Sequence, residues 1–221
     1  MKVFCSWSGG KESSLACYRA VSQGFDISFL LNMISEDGGR SRTHGLDSRL
    51  LVAQSEAIGI PIVQRKTTWE SYEDEFKKAV SDLKKHGIAG GIFGDIDLQE
   101  HRDWVERVCK ESGIEASEPL WQNERRYLLE EFIKVGFNAI VVATKSELMD
   151  DKWLGRNIDE KFINDLSELK NIDLCGEAGE YHTFVTDGPI FKKKIEILQG
   201  EKVLRDNHWF LDVKDYRIIE K

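Results

Sequence analysis

The chain has 221 residues, of which 41% are hydrophobic and 32% are charged, and its formal net charge at pH 7 is −8. This length predicts one large domain or two small ones. The acidic balance disfavours an extensive nucleic-acid surface, which needs dense Lys and Arg, and no apolar run approaches the roughly 18 residues of a membrane span. The four scattered cysteines form no C-x-x-C pair, so we expect reduced, packed thiols in a cytoplasmic protein.

The first half of the chain alternates short β-rich runs with amphipathic stretches, most of which stop at a glycine. The predicted strands cover residues 2–7, 27–34, 61–66 and 88–96. The predicted helices cover residues 13–23, 46–58, 69–86 and 98–112. Repeated strand, loop and helix units are typical of a parallel α/β sheet covered by helices.

After residue 113 the alternation becomes less regular. Predicted helices cover residues 125–135 and 159–169, and predicted strands cover residues 138–144, 183–185, 193–199 and 209–216, with a turn near Gly200. A soft boundary falls at residues 114–124. We therefore predict a doubly wound parallel sheet in residues 1–118 and a smaller α+β domain, which binds the substrate, in residues 119–221.

The strongest local signal is the sequence SGGKES at residues 8–13, here called the phosphate loop, between the first predicted strand and its helix. Two glycines let the backbone approach a pyrophosphate closely, and the helix that follows directs free N–H groups towards the anion. Serine hydroxyls and a lysine add donors and a positive charge. The residues predicted to hold the nucleotide here are Ser8, Gly9, Gly10, Lys11, Ser13 and Ser14.

The phosphate loop departs from two better-known glycine-rich motifs. A Walker A loop would have glycine in place of Cys5 and Ser or Thr in place of Glu12. The G-x-G-x-x-G dinucleotide fingerprint is also absent. The alternative is a plain strand-to-helix turn rich in small residues.

SGGKES resembles the SGG-x-[DE]-S loop of the PP-loop ATP pyrophosphatases, in the adenine nucleotide α-hydrolase-like superfamily. The resemblance implies a HUP-type, Rossmann-like sheet that binds ATP with Mg²⁺ and splits ATP into AMP and pyrophosphate. It also implies that adenine lies beside the end of the second strand, at Leu31, Asn32 and Met33.

Gly94 and Asp95 end the fourth predicted strand. Ligands of parallel sheets gather at the carboxyl ends of strands, so we expect both residues at the ATP site, with Asp95 holding Mg²⁺ or positioning a reacting carboxylate. The alternative for Asp95 is an N-terminal helix cap. Arg102 in the next helix is predicted to reach a phosphate, with a surface ion pair as the alternative.

A second polar cluster spans residues 175–184, where two glycines surround Glu177, Glu180 and His182. A tight turn there would direct both carboxylates to a common point, where they would bind a cationic acceptor or act as a base together with the imidazole. The alternative is a polar surface loop. His44, after the second predicted strand, is a further candidate for the same cleft.

Taken in order, the segments SGGKES, GDI, HRDWVERVC, EPLW and GEAGEYHTFVTDGPIF resemble the diphthine–ammonia ligase family, from Met1 to about Phe191. The resemblance implies ATP-dependent amidation of diphthine on elongation factor 2 with ammonia, with Lys11 and Asp95 among the catalytic residues. A homodimer is a further expectation. Ala178 and His182 stand where the family usually has Gly and Glu.

Three other functions stay open at this level. A ligase of the same kind would act on a different small carboxylate. A tRNA-modifying PP-loop enzyme is opposed by the net charge and by the missing C-x-x-C pair. A non-catalytic nucleotide sensor would bind ATP without releasing AMP. No glutaminase domain is evident, so free ammonia is the expected nitrogen source.

Overall fold

The structure is a computed structural model that describes residues 1–41 and 45–221. Within these residues, five parallel strands form a sheet in the order β3-β2-β1-β4-β5. These strands are β1 (Lys2–Ser6), β2 (Asp26–Ile34), β3 (Ile62–Lys66), β4 (Gly90–Ile92) and β5 (Glu115–Ser117). The helices between them are α1 (Lys11–Ser22), α2 (Ser48–Ile58), α3 (Tyr72–Lys84) and α4 (Gln99–Ser112). This architecture confirms the predicted doubly wound, Rossmann-like sheet.

β1 is the central strand of the sheet, and both of its faces are covered. Val3 and Cys5 belong to the core on the side of α1 and α2, whereas Phe4 belongs to the core under α3 and α4. Phe4 meets Phe76 and Phe93 edge-to-face, with ring centroids 6.0 and 5.9 Å away. A continuous apolar strand is therefore stable here, as in other parallel sheets.

The remaining strands of the described chain form a second, antiparallel sheet of four strands in the order β7-β6-β9-β8. Its strands are β6 (Asn138–Lys145), β7 (Tyr181–Asp187), β8 (Lys193–Arg205) and β9 (His208–Glu220). The helical segments of this region are α5 (Arg125–Lys134), a short 3₁₀ turn (Asp151–Trp153) and α6 (Glu160–Ser167). The predicted smaller α+β region is thus confirmed.

The turn predicted near Gly200 is wrong. Gly200 lies inside β8, where the pairing with β9 is irregular between Ile197 and Gly200. The chain reverses instead at Asp206 and Asn207, whose φ values are +47° and +61°. Two consecutive positive φ values are typical of a two-residue hairpin turn, while a glycine within a strand often marks a bulge.

The two sheets share one hydrophobic core, to which Leu15 of α1, Leu128 of α5 and Phe184 of β7 all belong. The backbone N–H of Val185 in β7 donates to the carbonyl oxygen of Gly9 at 3.0 Å, so the second sheet also bonds directly to the phosphate loop. A division between residues 118 and 119 would fall between β5 and α5, and it stays a prediction.

Candidate active site

A cleft of about 480 Å³ opens at the carboxyl ends of β1, β2 and β4. The chain leaves β1 towards β2 on one side and later returns to β4 on the other side, so the cleft lies at the switch point of the sheet, where such sheets bind ligands. Residues 175–182 form the opposite wall. The predicted site residues that line the cleft are Ser8, Lys11, Ser13, Met33, Gly94, Asp95, Glu177 and His182.

The phosphate loop requires glycine at position 9 for two reasons. Gly9 has a φ of +82°, which residues with a side chain rarely adopt. A Cβ atom there would also lie 2.4 Å from Leu51 Cδ2 and 2.7 Å from Gln54 Oε1. Space is also short at Gly94, because a Cβ atom there would lie 3.1 Å from the backbone nitrogen of Ser13.

The beginning of α1 provides donors for an anion. The N–H of Lys11 donates to Thr183 Oγ1 at 3.0 Å, while the N–H groups of Glu12 and Ser13 donate to no other described residue. The hydroxyls of Ser8 and Ser13 lie 3.2 Å apart beside them. Free N–H groups at the first turn of a helix are a general anion-binding arrangement.

Lys11 joins the phosphate loop to the opposite wall of the cleft. Its side chain is 5% exposed, and its Nζ donates to the Cys175 carbonyl oxygen at 2.5 Å and pairs with Glu12 Oε1 at 2.6 Å. The same nitrogen lies 4.4 Å from the centre of the Tyr181 ring. Burial lowers the pKa of Lys11, but the Glu12 charge and the other neighbours raise it more, so the ammonium stays charged.

The loop of residues 173–180, here called the Glu177 loop, is held by its own carboxylates. Asp173 Oδ1 accepts from the N–H groups of Cys175 at 2.8 Å and Glu177 at 3.2 Å. Glu180, only 3% exposed, accepts from the N–H groups of Asp173 at 2.8 Å and Ala178 at 3.0 Å. These contacts are those of a side chain that holds the loop, and the predicted catalytic role of Glu180 stays a prediction.

Glu177 and His182 face the cleft in unusual protonation environments. Burial, together with the negative charges of Glu12, Asp173 and Asp95, raises the pKa of Glu177 to about 7, although Lys11 partly opposes this. Burial, with the nearby Lys11 charge, lowers the pKa of His182 to about 4. At neutral pH the Glu177 carboxyl is therefore about half ionised, while the His182 imidazole is neutral.

Asp95 lines the same cleft, close enough for its charge to act on Glu177. Its Oδ1 is 3.1 Å from His101 Nδ1, and this contact raises the pKa of the imidazole. Burial and the Asp95 charge raise the pKa of Tyr72 to about 12. The residue that caps α4 is Leu98, so the alternative in which Asp95 caps that helix is wrong.

Aromatic side chains just before α3, in α3 and in α4 form another part of the cleft wall. Trp69 is 62% exposed and stacks on Tyr72 with ring centroids 6.1 Å apart. Tyr72 in turn lies 5.8 Å from the Trp104 ring, whose Nε1 donates to Glu73 at 3.0 Å. Because the predicted helix began at residue 69 rather than at Tyr72, Trp69 was not recognised as a residue at the mouth of the cleft.

Four predicted nucleotide-binding residues of the described chain are not among those that line the cleft: Gly9, Gly10, Ser14 and Arg102. Arg102 Nε pairs with Glu106 at 2.8 Å, and its guanidinium lies 4.6 Å from the centre of the Trp121 ring. Ser14 is fully buried, and its hydroxyl has no hydrogen-bond partner among the described residues. Their predicted contacts with the nucleotide stay predictions. His44 lies outside the described residues.

Gln54 of α2 is a residue of this region that the sequence interpretation missed. It is fully buried and bonds to the side chain of Trp7 and to the backbone of Gly9. A glutamine on the apolar face of a predicted helix was the available signal, because a buried amide needs hydrogen-bond partners.

No resident metal cluster is built into the described part of the chain: no group of three or more His, Cys, Asp or Glu side chains is placed to hold an ion. Mg²⁺ bound with a nucleotide commonly uses one or two carboxylates together with substrate phosphates. Asp95, whose carboxylate lines the cleft, is compatible with that arrangement. None of the helices described here is long and apolar enough to cross a membrane.

A glycine-rich loop at the switch point of a Rossmann-like sheet, opposite a polar loop from a second sheet, defines a PP-loop nucleotide-binding architecture. The family model for the diphthamide synthase N-terminal domain matches residues 1–116, and that for the diphthamide synthase C-terminal domain matches residues 124–219. The chain therefore belongs to the diphthamide synthase family.

Named relatives match over nearly the whole chain. The diphthine–ammonia ligase of Rattus norvegicus is 30% identical over 99% of this chain and 91% of its own length. That of Danio rerio is 32% identical over 96% of this chain and 92% of its own length. A crystal structure titled as a predicted subunit of tRNA methyltransferase from Methanocaldococcus jannaschii has a TM-score of 0.43 and 16% identity, covering 64% of this chain and 80% of that one.

Proposed function

We propose that this chain is an ATP-dependent amide ligase that adenylates the carboxylate of diphthine on elongation factor 2 and then amidates it with ammonia. The observation that carries the proposal is a single cleft that contains both the free N–H groups of the phosphate loop and Glu177, a carboxyl group whose pKa is about 7. The name of the relatives, diphthine–ammonia ligase, supports the same reaction.

In the first step, an oxygen of the acceptor carboxylate attacks the α-phosphorus of ATP. The bond from that phosphorus to the bridging oxygen breaks, and pyrophosphate leaves with the electron pair. The N–H groups of Glu12 and Ser13, with the Ser8 hydroxyl, are the donors that stabilise the charge on the pyrophosphate. Adenine would lie against Leu31 and Met33 at the end of β2, which line the same cleft.

Mg²⁺ is part of this proposal, with Asp95 as its protein ligand. When bound, the ion would neutralise charge on the departing pyrophosphate. His101 Nδ1 contacts Asp95 Oδ1 at 3.1 Å and would orient that carboxylate.

In the second step, ammonia displaces AMP from the acyl-adenylate. The ionised Glu177 takes a proton from ammonium, and the nitrogen lone pair then attacks the acyl carbon as the bond to the AMP oxygen breaks. The nitrogen, which now carries one proton too many, releases it to the phosphate of the departing AMP or to water, and the amide forms. A base with a pKa near the working pH suits this proton transfer, and burial together with nearby acidic groups places Glu177 in that range. His182 is neutral at the same pH, and its imidazole lines the same cleft.

The acceptor would enter past the aromatic wall formed by Trp69, Tyr72 and Trp104. These rings line the same cleft as the phosphate loop, with Asp95 near Tyr72 and with Glu73 accepting from Trp104 Nε1. A large protein substrate needs such an open approach, and Trp69 stands exposed at its edge. A homodimer is compatible with this arrangement and stays a proposal.

The test is to incubate the protein with ATP, Mg²⁺, ammonium and elongation factor 2 bearing diphthine. We expect AMP to form in proportion to amidated acceptor, measured by chromatography and intact mass. Omitting ammonium should stop amidation, and a Ser13→Ala variant, which keeps the fold but loses a loop hydroxyl, should be slower. AMP that appears only with another carboxylate would exclude diphthine as the acceptor, and no AMP with any acceptor would exclude a ligase.

A further inference from the structure

Gln54 connects three parts of the molecule through one buried amide. Its Oε1 accepts from Trp7 Nε1 at 2.9 Å, immediately before the phosphate loop. Its Nε2 donates to the carbonyl oxygen of Gly9 at 2.9 Å, within the loop, and to that of Val185 in β7 at 2.7 Å. Both amide hydrogens and the amide oxygen of Gln54 are therefore used.

These bonds act at Gly9, where the backbone of the phosphate loop has little room to move. Gly9 has its positive φ, and Leu51 and Gln54 fill the space beside its Cα. The Gly9 carbonyl also accepts from the N–H of Val185, so α2 and β7 hold it from two sides. Because Gly9 precedes the first turn of α1, its orientation decides where the free N–H groups of Glu12 and Ser13 point.

Few side chains could replace this amide. The site needs two donors for carbonyl oxygens and one acceptor for an indole N–H, at the reach of a glutamine. Methionine has a similar shape but makes none of these three bonds, so the buried Trp7 N–H loses its acceptor and the Gly9 carbonyl loses one of its two donors. Glutamate is nearly isosteric, yet its ionised form would face two carbonyl oxygens with no hydrogen to donate.

We propose that Gln54 is a positioning residue for nucleotide binding, which acts through Trp7 and Gly9 by holding the phosphate loop in its anion-binding conformation. The proposal rests on the proposed function in one respect, since it takes ATP to be the occupant of the loop. No substrate contact is assigned to Gln54 itself.

The test compares ATP affinity, measured by titration calorimetry, in the wild type, Gln54→Met and Gln54→Glu. We expect Gln54→Met to bind ATP about tenfold more weakly at every pH, because buried partners lose their bonds. Gln54→Glu should bind less weakly near pH 6, where the protonated carboxyl still supplies one of the two donors, than near pH 8, where the ionised carboxylate supplies none and the loss reaches about tenfold. The groups that the amide contacts, on Trp7, Gly9 and Val185, do not titrate.

Two controls separate positioning from general destabilisation. Val80→Ala removes volume from the other core, under α3, and should lower the melting temperature without changing ATP affinity. Gln199→Glu makes the same chemical change at an exposed position of β8 and should give no pH dependence. In the active enzyme, KM for ATP should rise in Gln54→Met while KM for the acceptor stays within about twofold.

The outcomes for Gln54 and for the proposed function differ. Unchanged ATP affinity in both Gln54 variants, or an equal loss in Val80→Ala, would overturn the positioning role even if the wild type amidates diphthine. A wild type that binds ATP in a Gln54-dependent way but amidates no acceptor would refute the ligase function and support the positioning role. A wild type that does not bind ATP would overturn both.

Discussion

The phosphate loop and the Glu177 loop face each other across the cleft, but they are built in different ways. The phosphate loop connects consecutive elements, β1 and α1, and its glycines and helix start give it an anion-binding shape locally. The Glu177 loop lies between α6 and β7 and is held by Asp173, by Glu180 and by the distant Lys11. The comparison teaches that each loop has a frame of its own nearby residues, whereas tertiary contacts place the loops: Lys11 reaches Cys175, and Gln54 and Val185 hold Gly9.

The largest effect should come from Gly9→Ala, which attacks the local motif. The new Cβ would overlap with Leu51 and Gln54 at a φ of +82°, so we expect ATP turnover to vanish and the free energy of unfolding to fall by about 3 kcal/mol. The matched control is Gly24→Ala, at a φ of +86° with no atom within 4 Å of the new Cβ. It should cost about 1 kcal/mol and leave turnover intact. Equal losses in the two variants, by calorimetry and AMP assay, would show that only backbone strain matters.

Lys11→Met should separate the two loops. Loss of the ammonium leaves the buried Cys175 carbonyl and Glu12 without their partner, which should cost about 2 kcal/mol of unfolding free energy. Hydrogen exchange of residues 173–180 should accelerate, and AMP formation should fall by about tenfold or more. Lys78→Met, at an exposed lysine of α3, is the control. Unchanged exchange in residues 173–180 would mean that Lys11 does not support the Glu177 loop.

Glu177→Gln should remove a pH dependence rather than a structural contact. The wild-type amidation rate should rise with pH as this carboxyl ionises near pH 7, and the variant should lose that rise together with about a hundredfold in rate. Glu180→Gln should instead destabilise the Glu177 loop and retain the pH profile, because its oxygens bond to backbone N–H groups. A rise in rate that persists in Glu177→Gln would assign the base to another group.

Glu177→Gln should also change how the free energy of unfolding depends on pH. The folded pKa of Glu177 lies above its ordinary value of 4.5, so the folded state holds the proton more tightly than the unfolded chain. Its contribution to stability is present below pH 4.5 and is lost as the pH rises to about 7. Above that pH, Glu177→Gln should be more stable than the wild type by about 1 kcal/mol, after allowing for the partial exposure of the side chain.

The smallest effect should follow Asn207→Gly, in a turn that belongs to neither loop. Asn207 has a φ of +61° in the turn between β8 and β9, and glycine adopts this conformation without steric cost. We expect a gain of about 0.5 kcal/mol in unfolding free energy and an unchanged rate of AMP formation. A change in that rate would mean that the hairpin influences the cleft.

Most of the fold was accessible from the sequence because parallel strands and their covering helices leave strong, repeated patterns. β1, α1 and the stop at Gly59, with its φ of +81°, are local features set by nearby residues. β5 was missed because Glu115–Ser117 is three residues long and mostly exposed. Gly200 misled the turn prediction because glycine marks bulges as well as turns.

By itself, the sequence determined the sheet, the phosphate loop and the presence of a second acidic cluster, because each follows from residues that are neighbours in the chain. Only the tertiary structure decided that Glu177 faces the cleft while Glu180 holds the loop, and that Trp69 and Trp104 form part of the wall. It also brought Gln54 to Gly9 and Lys11 to Cys175, across 45 and 164 positions of sequence. The physical reason is that burial and hydrogen-bond partners depend on elements packed from distant segments, which no local pattern encodes.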